Sequence, residues 1–138
     1  MKYTLSLVNS NPFKIEPEQK FEIEKRLRDM FEDKKLYTQP QFSLRHLSIE
    51  TRFSTNLLSA FFNQVLGIHF NDYINRLRIR YFKEMVENEN VHHLTLAGLA
   101  ERCGFHNRNT FTTAFKKFVG ITPSKYLRMY VGRRFSDN

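Results

Sequence analysis

The chain has one cysteine, Cys103, among 138 residues. That excludes an internal disulfide and any multi-cysteine zinc site. There is no tryptophan, and only five glycines and four prolines occur. So few turn-formers disfavour β-rich and disordered classes and favour helix. No apolar run approaches the roughly 18 residues that a membrane-spanning helix needs. The opening "MKYTLSLVNSNPF" is too polar for a secretory signal. Catalytic signatures are also missing: there is no H-E-x-x-H and no glycine-rich phosphate loop. His92 and His93 are adjacent, so they face different ways on any regular element. Cys103 and His106 lie three apart, but a turn cysteine in an apolar setting is usually filler. The expectation is no enzyme, no cofactor and no metal.

What is abundant is positive charge and phenylalanine. Net charge is +8 and the pI is near 9.8, with 14 Phe and 6 Tyr. Residues 1–39 hold eight Lys/Arg against seven Asp/Glu, leaving fourteen against seven for residues 40–138. The excess sits in the second region and points to an acidic partner, nucleic acid before an anionic membrane surface.

Residues 1–16 show no sustained period and read as a loose arm. Pro17 suits a helix start. From there to about Tyr37, Phe21, Ile23, Leu27, Met30 and Phe31 trace a helical stripe. "TQPQ", Thr38 to Gln41, is a break. Beyond it Ser43 and Ser54 are N-cap candidates, and Gly67 is a C-terminal stop. A helix over about 71–87 follows, with Ile74, Leu77, Tyr81, Phe82, Met85 and Val86 as its apolar stripe. Thr95 and Asn107 are further N-caps, Gly104 a turn and Gly120 a stop. Thr122-Pro123 opens a last helix through about Tyr130.

This sequence repeats itself. Leu44, Leu47 and Phe53 align with Leu96, Leu99 and Phe105 at an offset of 52. Ser54, Leu58, Phe62, Gly67, Ile68 and Tyr73 align with Asn107, Phe111, Phe115, Gly120, Ile121 and Tyr126 at an offset of 53. The extra residue falls in a turn, where insertions are tolerated. Each copy is a short helix, a turn and a helix of about a dozen residues. Apolar positions recur while the polar ones vary, as expected of a helix-turn-helix. A helical hairpin that binds only protein partners is the alternative.

The stretch "LTLAGLAERCGFHNRNTFTTAFKKFVGITPSKYLR" resembles the second helix-turn-helix of AraC/XylS-family transcription regulators. "LAERCGF", the spaced Phe111, Phe115, Lys116 and Lys117, and "GITPSKY" carry the likeness, and "YINRLRIR" fits the linking helix. The resemblance covers about Leu44 to Tyr130. It implies an all-α fold of about seven helices, with two homeodomain-like helix-turn-helix units joined by a long helix. The divisions would be an arm at 1–16, a helix or linker at 17–39 and a DNA-binding domain at 40–138. Within that domain the first helix-turn-helix covers 43–67, the linking helix 70–88, the second helix-turn-helix 95–120 and the last helix 122–131. The implied partner is double-stranded DNA, with RNA polymerase as a further family partner. A sensor or effector domain is expected outside this chain. The implied location is cytoplasmic, including the cytoplasmic part of a membrane-anchored regulator, with no membrane contact by this segment.

Two departures stand out. Arg52 occupies the position of Gly104, which suggests a differently built first turn, since arginine tolerates left-handed geometry poorly. "HFNDY" replaces "TPSKY", so the linking helix lacks a proline start.

If Leu58, Phe61, Phe62 and Val65 point inward, Thr55, Asn56, Ser59 and Asn63 point outward. By the same logic Phe111, Phe115 and Phe118 leave Arg108, Asn109, Thr112, Thr113 and Lys116 outward. The resemblance places base reading at Asn56, Ser59 and Ala60, and at Arg108, Asn109 and Thr113. Arginine matches guanine and asparagine matches adenine in bidentate geometry. Phosphate candidates are Arg45, Arg76, Arg80, Lys116, Lys117 and Lys125. Arg78 is reserved for a structural ion pair. A joining helix of about 17 residues spans about 25 Å. That length suits recognition helices about 34 Å apart, one turn of B-DNA.

Overall fold

The computed structural model describes residues 14–136, with side chains over 14–130. Most of the expected arm at 1–16 lies outside these residues. Seven α-helices occur among the described residues: α1 Pro17–Arg28, α2 Leu44–Thr51, α3 Thr55–Ala60, α4 Phe70–Asn88, α5 Leu96–Cys103, α6 Arg108–Val119 and α7 Pro123–Ser136. No strand occurs among the described residues. Two units emerge: one takes the chain through Lys35 and again over Ser43–Asn71, the other takes Leu36–Phe42 and the chain from Asp72 onward.

In the first unit α1 starts at Pro17, with Glu16 and Gln19 forming a reciprocal capping box. The expected single helix to Tyr37 does not form. α1 gives way to a π-helical turn at Asp29–Asp33, then Lys35 at φ 49 breaks the chain; the short 3₁₀ turn at Leu36–Thr38 that follows belongs to the second unit. Ile23, Leu27, Met30 and Phe31 are buried, but Phe21 is 65% exposed and leaves the expected stripe.

The first hairpin follows. Ser43 caps α2 by accepting from the His46 amide at 3.3 Å. Ser54 caps α3 by accepting from the Leu57 amide at 3.1 Å. Each bond satisfies one of the amides that every helix start leaves without an intrahelical partner. α3 widens into a π-helical turn over Phe61–Leu66, closed by Gly67 at φ 66. There Phe61 must be housed where the second copy has only Ala114, and both are buried. Phe61 and Phe62 pack edge-to-face at 5.8 Å, and Phe62 meets Phe70 in the same way at 5.3 Å.

In the second unit Ile79, Phe82, Met85, Val86, Leu99, Phe105, Phe111 and Phe115 are the main members of one core. Phe82 is its hub, with ring centroids 5.1 Å from Phe111 and 5.4 Å from Phe115. Burying such a ring contributes about 2–3 kcal/mol. Thr95 caps α5 and Asn107 caps α6, each bond 2.9 Å long. Gly104 and Gly120 close these helices at φ 104 and φ 91. The last helix opens at Pro123 as expected and runs on to Ser136 rather than stopping near Tyr130.

Candidate nucleic-acid interface

The recognition faces follow from the core. In the first unit Leu58, Phe61 and Phe62 are buried, and Val65 is half-buried. Thr55, Asn56 and Asn63 are consequently exposed, with Ser59 half-exposed and 3.5 Å from the Asn63 amide. Ala60 differs from the expectation. It is 5% exposed, part of the unit's interior, and offers no free methyl to a base edge.

In the second unit Phe111, Ala114 and Phe115 are buried and Phe118 is half-buried. Arg108, Asn109, Thr113 and Lys116 are exposed, with Thr112 partly so. Arg108 and Asn109 occupy the first turn of α6, immediately after the Asn107 cap. The cap fixes where the helix starts and therefore where these two side chains leave it.

All six phosphate candidates, Arg45, Arg76, Arg80, Lys116, Lys117 and Lys125, are exposed. Two of them, distant in sequence, come together. The Arg76 guanidinium lies 5.0 Å and the Lys117 ammonium 5.2 Å from the centroid of the Phe118 ring. Lys117 also pairs with Asp72 at 3.4 Å, with 60% of its side chain exposed. So exposed a pair contributes little to stability, but it holds a cation in position.

Arg78 does not form the expected ion pair. It is buried, and it donates from Nε to the Tyr37 carbonyl at 2.6 Å and from Nη2 to the Gln39 carbonyl at 3.0 Å. Burial lowers its pKa to about 10, which leaves it charged at neutral pH. Its guanidinium also lies 5.6 Å from the Phe105 ring centroid. Arg78 thus ties the Leu36–Phe42 segment to α4 within the second unit.

Gly104 sits in the same cluster. A β-carbon there would run into the Tyr37 carbonyl oxygen, and would lie 2.8 Å from Arg78 Nε and 2.9 Å from the Thr38 carbonyl carbon. Arg52, its counterpart, is also left-handed, at φ 68. The first turn therefore keeps the same backbone at this position, contrary to the expectation drawn from arginine's side chain. The amide of Arg52 closes α2 onto the Ser48 carbonyl at 2.8 Å, offsetting part of the strain.

Cys103 is fully buried, and burial pushes its thiol up to about 12, while His106 is exposed. No group of three or more His, Cys, Asp or Glu that would hold a metal occurs among the described residues. No described helix is long and apolar enough to cross a membrane.

Comparison with known proteins agrees with this geometry. A family model described as a helix-turn-helix domain matches residues 47–129. The HTH-type transcriptional regulator YijO of Escherichia coli K12 is 34% identical over 77 residues, which is 56% of this chain and 26% of that protein. The chain spans 28% of the transcriptional activator RhaR of Cronobacter sakazakii, at 28% identity over 59% of its own length. The chain thus spans about a quarter of these curated relatives. Among solved structures, the C-terminal domain of the two-component response regulator yesN from Fusobacterium nucleatum superposes with a TM-score of 0.64 at 32% identity, covering 76% of this chain and 97% of that one. With its seven helices, paired capped hairpins and matching family model, the chain belongs to the AraC/XylS-type helix-turn-helix family of transcription regulators.

Proposed function

We propose that this chain binds double-stranded DNA sequence-specifically and acts as the DNA-binding part of a transcription regulator. The observation that carries the reading is the exposed, capped start of α6, which presents Arg108 and Asn109, with the cations Lys116 and Lys117 in the last turn of the same helix. Each hairpin would lay its second helix in the major groove. Asn56, Ser59, Arg108, Asn109 and Thr113 would read bases, and Arg45, Arg76, Arg80, Lys116, Lys117 and Lys125 would hold phosphates. Ala60 has no part in base reading here, because its methyl is buried. Two recognition helices, one from each hairpin, would occupy successive major-groove segments.

The relatives are much longer than the segment matched, which supports a sensor or effector domain elsewhere in the working regulator. RNA polymerase is the partner through which DNA binding would alter transcription. A DNA partner implies a cytoplasmic location for this segment.

The test is selection of bound sites from random duplex DNA, followed by affinity at 50 and 200 mM salt. Enriched related sites, with affinity falling at least ~100-fold between the two salts, are expected for several phosphate contacts. No enriched site and salt-independent affinity would instead favour a protein-binding hairpin. Lys117→Ala should weaken binding to all duplexes alike and reduce the salt slope by about one. Isothermal or fluorescence titrations over a salt series read both quantities.

A further inference from the structure

The two recognition helices differ in charge. α6 carries Arg108, Lys116 and Lys117, whereas Thr55–Leu66, "TNLLSAFFNQVL", contains no Lys, Arg or His. Docking on a phosphate backbone needs cations, so the first unit must find one next to its helix rather than on it. Two residues before the Ser54 cap stands Arg52, which is exposed.

The turn around Arg52 is tied on both sides. Thr51 is buried; its hydroxyl donates to the Leu47 carbonyl at 2.7 Å and accepts from the Phe53 amide at 3.3 Å. The Thr51 carbonyl accepts from Arg26 Nη1 at 3.0 Å, and the Ser48 hydroxyl donates to the Phe53 carbonyl. The Arg26 guanidinium covers the Phe53 ring from 6.0 Å. Within this fixed frame the Arg52 side chain has no hydrogen bond or ion pair among the described residues. Its backbone is nevertheless left-handed, a conformation that glycine or asparagine adopts more cheaply. A strained, exposed residue whose side chain has no hydrogen bond or ion pair among the described residues points to a partner beyond them.

We propose that Arg52 is a phosphate anchor of the first unit, gripping the DNA backbone beside the uncharged recognition helix. The proposal rests on the DNA-binding reading above and adds a residue to it. Arg52 positions that helix without reading a base. It supplies the charge that the second copy carries on α6 itself.

The test compares wild type with Arg52→Gly, Arg52→Asn and Arg52→Lys, using a selected duplex and a random-sequence duplex over a salt series. Thermal unfolding is followed in parallel. Arg52→Gly and Arg52→Asn should bind both duplexes ~3–10-fold more weakly, with a salt slope smaller by about one. Their unfolding midpoints should be unchanged or higher, since strain is relieved. Arg52→Lys should keep the slope. Unchanged affinity and slope in the Gly and Asn variants, with wild type binding normally, would overturn the anchor role alone. Lowered midpoints in both variants would assign Arg52 to holding the turn and overturn it too. If wild-type protein shows no salt-dependent binding to either duplex, the DNA-binding reading itself fails, and this proposal with it.

Discussion

Gly104→Ala should destabilise the second unit by roughly 3 kcal/mol, more than alanine at Gly67, Gly98 or Gly120. Two costs coincide there. The backbone is at φ 104, which disfavours any β-carbon. The space is also occupied, by the Tyr37 carbonyl oxygen, by Thr38 and by Arg78 Nε. None of the backbone atoms is free to yield, because Arg78 holds the Tyr37 carbonyl at 2.6 Å. Gly120→Ala provides the comparison. Its φ is 91, but nothing lies within 4 Å of the added carbon, so only the conformational cost of about 1 kcal/mol applies. Urea unfolding of both variants checks the contrast. Equal losses would mean that the Tyr37–Arg78–Gly104 contact is not formed in solution.

The second large effect concerns specificity. Arg108→Ala should cost about 1–3 kcal/mol on the selected duplex and should relax discrimination at one base pair. Asn56→Ala should cost less, because the first recognition helix has only amide and hydroxyl groups to offer. Affinities across a set of base-substituted sites separate the two. A uniform loss over all sites for Arg108→Ala would recast Arg108 as a phosphate contact. A sharper loss for Asn56→Ala would reverse the assignment of the main reading helix.

Much of this fold is legible in the sequence because its punctuation is local. Ser43, Ser54, Thr95 and Asn107 each cap a helix by a bond to a residue three positions on, and Gly67, Gly104 and Gly120 each close one in left-handed geometry. Those bonds depend on neighbours that a reader of sequence can see. The expected faces of α3 and α6 follow for the same reason, since the aromatic spacing fixes which side is buried.

The misses share a different cause. Arg52 adopts a backbone that its side chain disfavours, because the capping bond and the tied residues around it hold the turn. Ala60 is small enough to be read either way, and the residues packed around it decide its burial. Phe21 fits a helical stripe on paper, yet it is 65% exposed where the unit leaves it uncovered. Arg78 pairs with two carbonyls some forty residues away, a partnership no local pattern announces. The π-helical turn at Phe61–Leu66 accompanies two neighbouring buried rings, a demand of volume rather than of period.

The central claim is that the two copies read two different stretches of one duplex. Hydroxyl-radical footprinting of the selected site tests it most directly. Two protected segments about one helical turn apart on the same face are expected, with Arg108→Ala weakening one of them first. Protection confined to a single groove segment would contradict the account.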